Sequence, residues 1–337
     1  MDVNQKQVES SCTVDSVEQE QGMSEMRREC CVIGLCVYNN EPGLPSVLSN
    51  IVTIMESNLF YKVTVVAFYD HSSDKSYSIL ETFKKQYERV CAETFKMIIV
   101  DNTNANGRKL RMDYGGRSNA VIRVLDSSRT ARIAVARNGI LHVIRGLYKI
   151  GFRNKYFIMM DSNEYACVGK INIPTLFGAL KRSDEWDSVS FNRDAGYYDY
   201  WALSYDKYIY SMFHVANKDE MLNNIRKDFE VKLNNAKSTK GKTDTNYDFI
   251  PVYSSYNGFA IYKSDKFLNC SYSSNIDIRL FPKKLLPKQI INKFTNDCEH
   301  RKFHLEAIKK NKARIVVSPL SIFYKLPIRK PGLRGPA

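Results

Sequence analysis

The residues with most chemistry to offer follow the run Tyr156-Phe157-Ile158-Met159-Met160, which ends abruptly in Asp161-Ser162-Asn163-Glu164. Carboxylate and amide oxygens grouped this closely suit a hard divalent cation, and a nucleotide diphosphate would supply the remaining oxygens. A purely structural use stays open, in which Asp161 or Asn163 caps a helix starting near Ile173. Upstream, Ile133, Ile140, Ile144 and Leu147 fall on one stripe of a helix over about 129–149. At about 100° per residue, Arg129 and Arg137 lie within roughly 40° of that stripe's centre. A guanidinium aimed at the core needs a partner, either a strand-end carboxylate or a ligand phosphate. Tyr197-Tyr198-Asp199-Tyr200-Trp201-Ala202-Leu203 interleaves aromatics with an acid, which suits a sugar or base platform or a packed core corner. Asp297-Cys298-Glu299-His300-Arg301-Lys302-Phe303-His304 carries general-base and metal-ligand side chains together. The i, i+4 spacing of His300 and His304 favours an ordinary helix surface.

These groups need a scaffold that brings strand ends together. Five apolar residues before Asp161 are too few for a membrane span and fit a parallel strand buried on both faces. Residues 31–38 form a second such run, closed by the turn cluster Asn39-Asn40-Glu41-Pro42-Gly43, with helical periodicity after it. A strand over 61–68 ends in Tyr69-Asp70-His71-Ser72-Ser73-Asp74, a helix spans about 75–90, and a strand over 95–100 ends in Asp101-Asn102. Repeated alternation of strand, polar end and helix predicts an α/β fold with a doubly wound sheet, whose ligand crevice lies outside the strand carboxyl ends. Residues 102–128 are expected to form a long loop near the site. Further on come a helix (173–180), strands at 186–192, 256–262 and 314–318, and a charged stretch over 215–250 that suits a lid or a surface insertion. Lys283, Lys284, Lys288 and Lys293 follow.

The chain has 337 residues, 44% of them hydrophobic, as expected of a folded globular protein. Residues 1–28 lack periodicity and are expected to be disordered. Eight cysteines without a CxxC predict a reducing, cytoplasmic setting, and no apolar stretch predicts a transmembrane segment. A net charge of +14 favours anionic partners. Without a zinc spacing, a helix-turn-helix or an aromatic RNA-binding signature, nucleic acid is not the expected primary partner. No G-x-G-x-x-G follows a predicted strand, which disfavours a Rossmann-type oxidoreductase.

Taken in order, several stretches resemble the GT-A glycosyltransferases, most closely the capsular (cryptococcal-type) mannosyltransferase-like group and enzymes of large DNA viruses. They are Tyr38-Asn39-Asn40, residues 69–74, Arg129 to Asn138, Met160 to Asn163, Tyr198 to Leu203, Asn257 to Tyr262, and Cys298-Glu299-His300 with Phe303-His304. The resemblance implies a mostly parallel mixed sheet flanked by helices, forming one domain over 29–325. Residues 29–165 would be its nucleotide-binding half and 166–325 its acceptor half, followed by a basic tail over 326–337. It implies a UDP- or GDP-sugar donor, with Tyr38, Asn40, Asp70, Arg129, Arg137, Asp161, Ser162 and Asn163 on the nucleotide side. Mn²⁺ or Mg²⁺ would sit at Asp161 and Asn163, where the second acid of an Asp-x-Asp motif is replaced by an amide, and His300 or Glu164 would complete the coordination. Residues 257–261 would shape the site of a glycan or glycoprotein acceptor, with Glu299, Asp297 and Asp199 as the acids available to it. A viral source would place the protein in host cytoplasm. The alternative is a relative that binds a nucleotide or glycan without turnover.

Overall fold

The computed structural model describes residues 29–102, 127–167, 169–209, 218–238, 247–275, 277–281 and 297–324. The expected tails over 1–28 and 326–337, most of the expected loop over 102–128, and the lysines between 283 and 293 lie outside these. In chain order the elements are β1 (Cys30–Val37), α1 (Leu44–Glu56), β2 (Lys62–Tyr69), α2 (Ser76–Val90), β3 (Phe95–Asp101), α3 (Ser127–Lys149) and β4 (Asn154–Asp161). They continue as β5 (Lys170–Ile171), α4 (Ile173–Lys181), β6 (Ser188–Asn192), α5 (Lys218–Ser238), β7 (Ile250–Val252), β8 (Phe259–Lys263), α6 (Ser264–Phe267), α7 (Glu299–Asn311), β9 (Ile315–Ser321) and β10 (Phe323–Tyr324).

Eight strands form one mixed sheet in the order β3-β2-β1-β4-β8-β6-β9-β7, and β10 pairs with β5 beside it. The first four strands are mutually parallel, as their continuous apolar sequences require of strands covered on both faces. Their register brings the carboxyl ends level, pairing Cys36 with Asp161, Val37 with Tyr69 and Tyr69 with Asp101. The chain moves outward from β1 to β2 and β3, then returns to the other side of β1 as β4. That reversal opens a crevice at the carboxyl ends of β1 and β4.

Alternate residues of each strand feed two cores. Ile33, Leu35, Ile158 and Met160 pack with α1, α2 and α4 on one face, whereas Val32, Phe157 and Met159 meet α3, α5 and α7 on the other. Helix α3 approaches so closely that a Cβ on Gly34 would lie 2.7 Å from Ile140 Cγ2 and 2.8 Å from Met159 Sδ. The amphipathic stretch expected as a lid or insertion is largely α5, which buries Ile225, Phe229 and Leu233 in the second core. The histidines of α7 depart from the helix-surface expectation. That helix buries Glu299, His300, Arg301, Phe303, His304, Leu305, Glu306 and Ala307, because it lies inside the second layer. His304 is matched there: its Nδ1 is 2.9 Å from Ser254 Oγ and its Nε2 is 3.2 Å from Tyr262 Oη. Burial, then the charges of Arg301 and Arg137, push the His304 imidazole down to about 3, so it is neutral.

Candidate active site

Four turns build the crevice wall. Asn39 adopts a left-handed backbone (φ 50°), as asparagine tolerates; its amide N–H donates to Ser72 Oγ at 2.9 Å and its Oδ1 accepts from the Ser73 N–H at 2.8 Å. Asn40 Oδ1 accepts from the Tyr38 N–H and from the Ser162 hydroxyl, each at 2.8 Å. Gly43 sits where a Cβ would meet the Glu164 backbone N at 2.6 Å. The turns after β1, β2 and β4 are thereby locked together by short polar side chains and a close backbone approach. The fourth turn precedes β8. Asn257 (φ 58°) and Gly258 (φ 86°) are both left-handed, and the Gly258 carbonyl accepts the Asp161 N–H at 2.8 Å.

These turns surround a cavity of about 520 Å³. Tyr38, Asn40, Asp70, Arg129, Arg137, Asp161, Ser162, Asn163, Asp199, Glu299 and His300 all line it. Asp297, expected among the acids at the site, does not. Its Oδ2 accepts from Arg301 Nε at 2.7 Å and its Oδ1 from the Cys298 N–H at 2.7 Å, while Arg301 also donates to the Leu203 and Ile209 carbonyls. Asp297 therefore serves a buried ion pair that ties α7 to the 201–209 segment.

At the cavity floor, Arg137 is buried and bridges two acids: its Nη2 donates to Asp161 Oδ1 at 3.1 Å and its Nε to Glu299 Oε1 at 3.1 Å. Burial opposes the guanidinium charge, but Tyr256, Cys36, Asp161 and Glu299 outweigh it and hold the arginine firmly protonated. The second arginine of the stripe differs. Arg129 is exposed at the rim, as is its neighbour one turn on, Arg132, and neither makes an ion pair with a described residue. Of the expected pair of core-directed arginines, only Arg137 turns inward; Arg129 lies on the first turn of α3, beyond the layer that the sheet covers.

Tyr256, which the sequence reading passed over, joins the floor groups. Its hydroxyl donates to Asp161 Oδ1 at 3.0 Å, Arg137 lies 4.4 Å over its ring, and His300 stacks on it at 3.9 Å. The signal available was its place directly before Asn257-Gly258. His300 is 1% exposed, and neither ring nitrogen has a hydrogen-bond partner; Nε2 stands 3.4 Å from Glu299 Oε1 without the geometry of a hydrogen bond. Burial, then Arg137 and His304, drive its imidazole well below the ordinary range, so no charge attraction links it to Glu299.

Asp199 lines the same cavity with Trp201 and Tyr198. Burial pushes its carboxyl up to about 7, with Glu299 and Asp161 adding to the effect and the Ala202 N–H and Arg137 opposing it. Asp70 Oδ1 accepts from Asn102 Nδ2 at 3.0 Å at the far end, where the exposed ring of Tyr38 offers a stacking surface. As a cation site the floor is incomplete: no group of three metal-binding side chains converges among the described residues. Asn163 Oδ1 is taken by the N–H groups of Tyr165 (2.9 Å) and Ala166 (2.8 Å), whereas Asp161 Oδ2 accepts no bond from a described residue. One free carboxylate oxygen fits a Mg²⁺ or Mn²⁺ ion that is carried mainly by a ligand's phosphates.

No protein-family model and no curated protein sequence matches the chain. Among solved structures, S. aureus TarS 1-349 aligns with a TM-score of 0.41 at 15% identity over 88% of this chain and 59% of that one. The mannosyltransferase PcManGT from Pyrobaculum calidifontis, in complex with GDP-Man and Mn²⁺, aligns with a TM-score of 0.39 at 12% identity over 90% of this chain and 59% of that one. Glucosyl-3-phosphoglycerate synthase from Mycobacterium tuberculosis with uridine-diphosphate gives 0.32 at 10% identity over 74% and 61%. The chain thus spans about three fifths of the length of each of these structures.

Proposed function

We propose that the chain is a glycosyltransferase that moves a sugar from a UDP- or GDP-sugar to a hydroxyl of a glycan or glycoprotein. The observation that carries this is the polarity of one cavity: Arg129 and Arg132 at the rim, without an ion pair among the described residues, and Asp161, Glu299 and Asp199 within. A nucleotide sugar has the matching polarity, with two phosphates at one end and a polyhydroxylated ring at the other. Arg129 and Arg132 would neutralise charge growing on the departing diphosphate, Asp70 and Tyr38 would receive the nucleoside, and Trp201 and Tyr198 would face the sugar. Arg137 acts differently, fixing Asp161 and Glu299 at a set spacing. Mn²⁺ or Mg²⁺, when bound, would be held by Asp161 and the donor diphosphate and would supply Lewis-acid stabilisation of the leaving group. In this reading 29–325 is one catalytic domain, nucleotide-binding over 29–165 and acceptor-binding over 166–325. The free thiols of the described cysteines agree with a reducing, cytoplasmic setting, and no helix among the described residues is long and apolar enough to cross a membrane.

A second reading, binding without turnover, is favoured by one observation: the amide of Asn163 is consumed by its own turn, leaving Asp161 as the sole free oxygen donor of the motif. A screen of UDP- and GDP-sugars for release of the nucleoside diphosphate, with and without Mn²⁺, separates the two. Release from any donor establishes transfer; tight nucleotide binding with no release from any donor, with or without glycan acceptors, establishes the second reading.

A further inference from the structure

Four acids line the cavity: Asp161 and Glu299 are paired with Arg137, and Asp70 accepts from Asn102 Nδ2 at the far end. Asp199 makes no ion pair with a described residue and is partly exposed to the cavity. Asp161 and Glu299 each give one oxygen to Arg137, whereas Asp199 gives only Oδ1, to the Ala202 N–H at 3.2 Å, and keeps Oδ2 for a ligand hydroxyl. Asp199 is nevertheless not loose. Its backbone N–H and that of Tyr198 both donate to Asn257 Oδ1, at 3.2 and 3.0 Å, and Asn257 Nδ2 donates to the Phe191 carbonyl at 2.8 Å. Asn257 is buried, so these bonds are shielded from water. The turn that holds Asp199 also holds Asp161, through the Gly258 carbonyl and the Tyr256 hydroxyl. One three-residue segment therefore holds both Asp161 and the backbone of Asp199, and sets the spacing between the two acids.

We propose that Asn257 is a positioning residue that fixes Asp199 against Asp161, and that Asp199 is the carboxylate that accepts a hydrogen bond from the reacting hydroxyl. This rests on the glycosyltransferase reading above. A proton on Asp199 would occupy the oxygen left open beside the Ala202 bond, so turnover rises with pH as Asp199 loses that proton. The groups facing it are Asp161 from β4, Arg137 from α3, Glu299 and Cys298 at the start of α7, and Tyr197 and Tyr198 from its own segment. The two acids and the burial they share place that loss near 7.

The experiment measures hydrolysis of UDP-glucose, UDP-N-acetylglucosamine and GDP-mannose across pH 5–9 for the wild type and three variants. Asn257→Gly keeps the left-handed backbone open while deleting the side-chain bonds. It should lower kcat roughly 10- to 100-fold with donor KM changed less than about threefold, since a displacement of about 1 Å carries a penalty of that size. Asn257→Asp keeps the acceptor oxygen and should recover part of the loss. Asp199→Asn should abolish the rise through neutral pH. A folded Asn257→Gly with wild-type kcat, or an Asp199→Asn that keeps the pH limb, overturns this inference alone. A wild type that releases nucleoside diphosphate from no donor, with or without glycan acceptors, overturns the glycosyltransferase reading and this inference with it.

Discussion

Arg137 organises the site's charges. It is a buried cation between two acids, so removing it leaves Asp161 and Glu299 without compensation in a poorly solvated place. Breaking one side of a buried pair costs about 3–5 kcal/mol, and Arg137→Met should lose stability on that scale. In a double-mutant cycle with Glu299→Gln, read by urea unfolding, the two changes should fall short of additivity by about 0.5–3 kcal/mol. Additive effects would mean that the 3.1 Å contact contributes nothing. Asp199 carries the opposite sign. Its carboxyl titrates above the ordinary range, so the folded state holds a proton that the unfolded state releases, and stability falls as pH rises from about 4 through about 7. Asp199→Asn should therefore stabilise the protein by roughly 1–4 kcal/mol at pH 8 and far less at pH 4, a comparison that thermal melts at the two pH values settle. A residue whose replacement by its amide raises stability is one kept at a structural disadvantage for another purpose.

At the scale of elements, the turns decide whether the strand ends form one site. A methyl at Gly43 would strike the backbone N of Glu164 at 2.6 Å, and backbone cannot rotate aside as a side chain does. Gly43→Ala should push the 163–164 turn away from β1, lower the melting temperature and weaken nucleoside diphosphate binding several-fold. Gly178 lies inside α4 with nothing within 4 Å of its would-be Cβ. Gly178→Ala should instead stabilise by about 0.5–1 kcal/mol and leave binding untouched. Equal effects at the two positions would remove the basis for a locked turn. The strands and helices were legible because their apolar periodicity survives folding, and β1, β2, β3 and β4 lie within one or two residues of their expected positions. The turn contacts were not legible, since the bonds from Asn39 to Ser72 and Ser73, and from Asn257 to Asp199, join residues far apart in sequence. The α7 histidines were misplaced for the same reason. Helical spacing says which residues share a face, but not that Tyr256, Tyr262 and Tyr272 cover that face.

At the scale of the whole molecule, a formal charge of +14 draws anions in general, and the rim arginines give that attraction a place. Because Arg129 and Arg132 are exposed, their pull on a diphosphate is screened within about 10 Å at 0.1 M salt. Binding of UDP or GDP should weaken with added salt, and less steeply in Arg129→Ala with Arg132→Ala. The metal follows from the same charge balance. Arg137 already offsets part of the floor's negative charge, and the Asn163 side-chain oxygen is taken, so the 161–163 turn presents one carboxylate oxygen, Asp161 Oδ2, that accepts no bond from a described residue. A divalent ion needs about six oxygens and gains affinity with each anionic one, so free Mn²⁺ should bind weakly and Mn²⁺ with a nucleoside diphosphate much more tightly. Calorimetric titration of UDP and GDP, with Mn²⁺ or with chelator, tests this on the wild type and on Asp161→Asn. The wild type should bind its preferred nucleotide at least about tenfold more tightly with the metal, and Asp161→Asn should lose that gain while keeping much of the metal-free affinity. Equal affinity of the wild type with Mn²⁺ and with chelator would make binding metal-independent. Charge neutralisation on the leaving group would then rest on Arg129 and Arg132, rim cations that make no ion pair with a described residue.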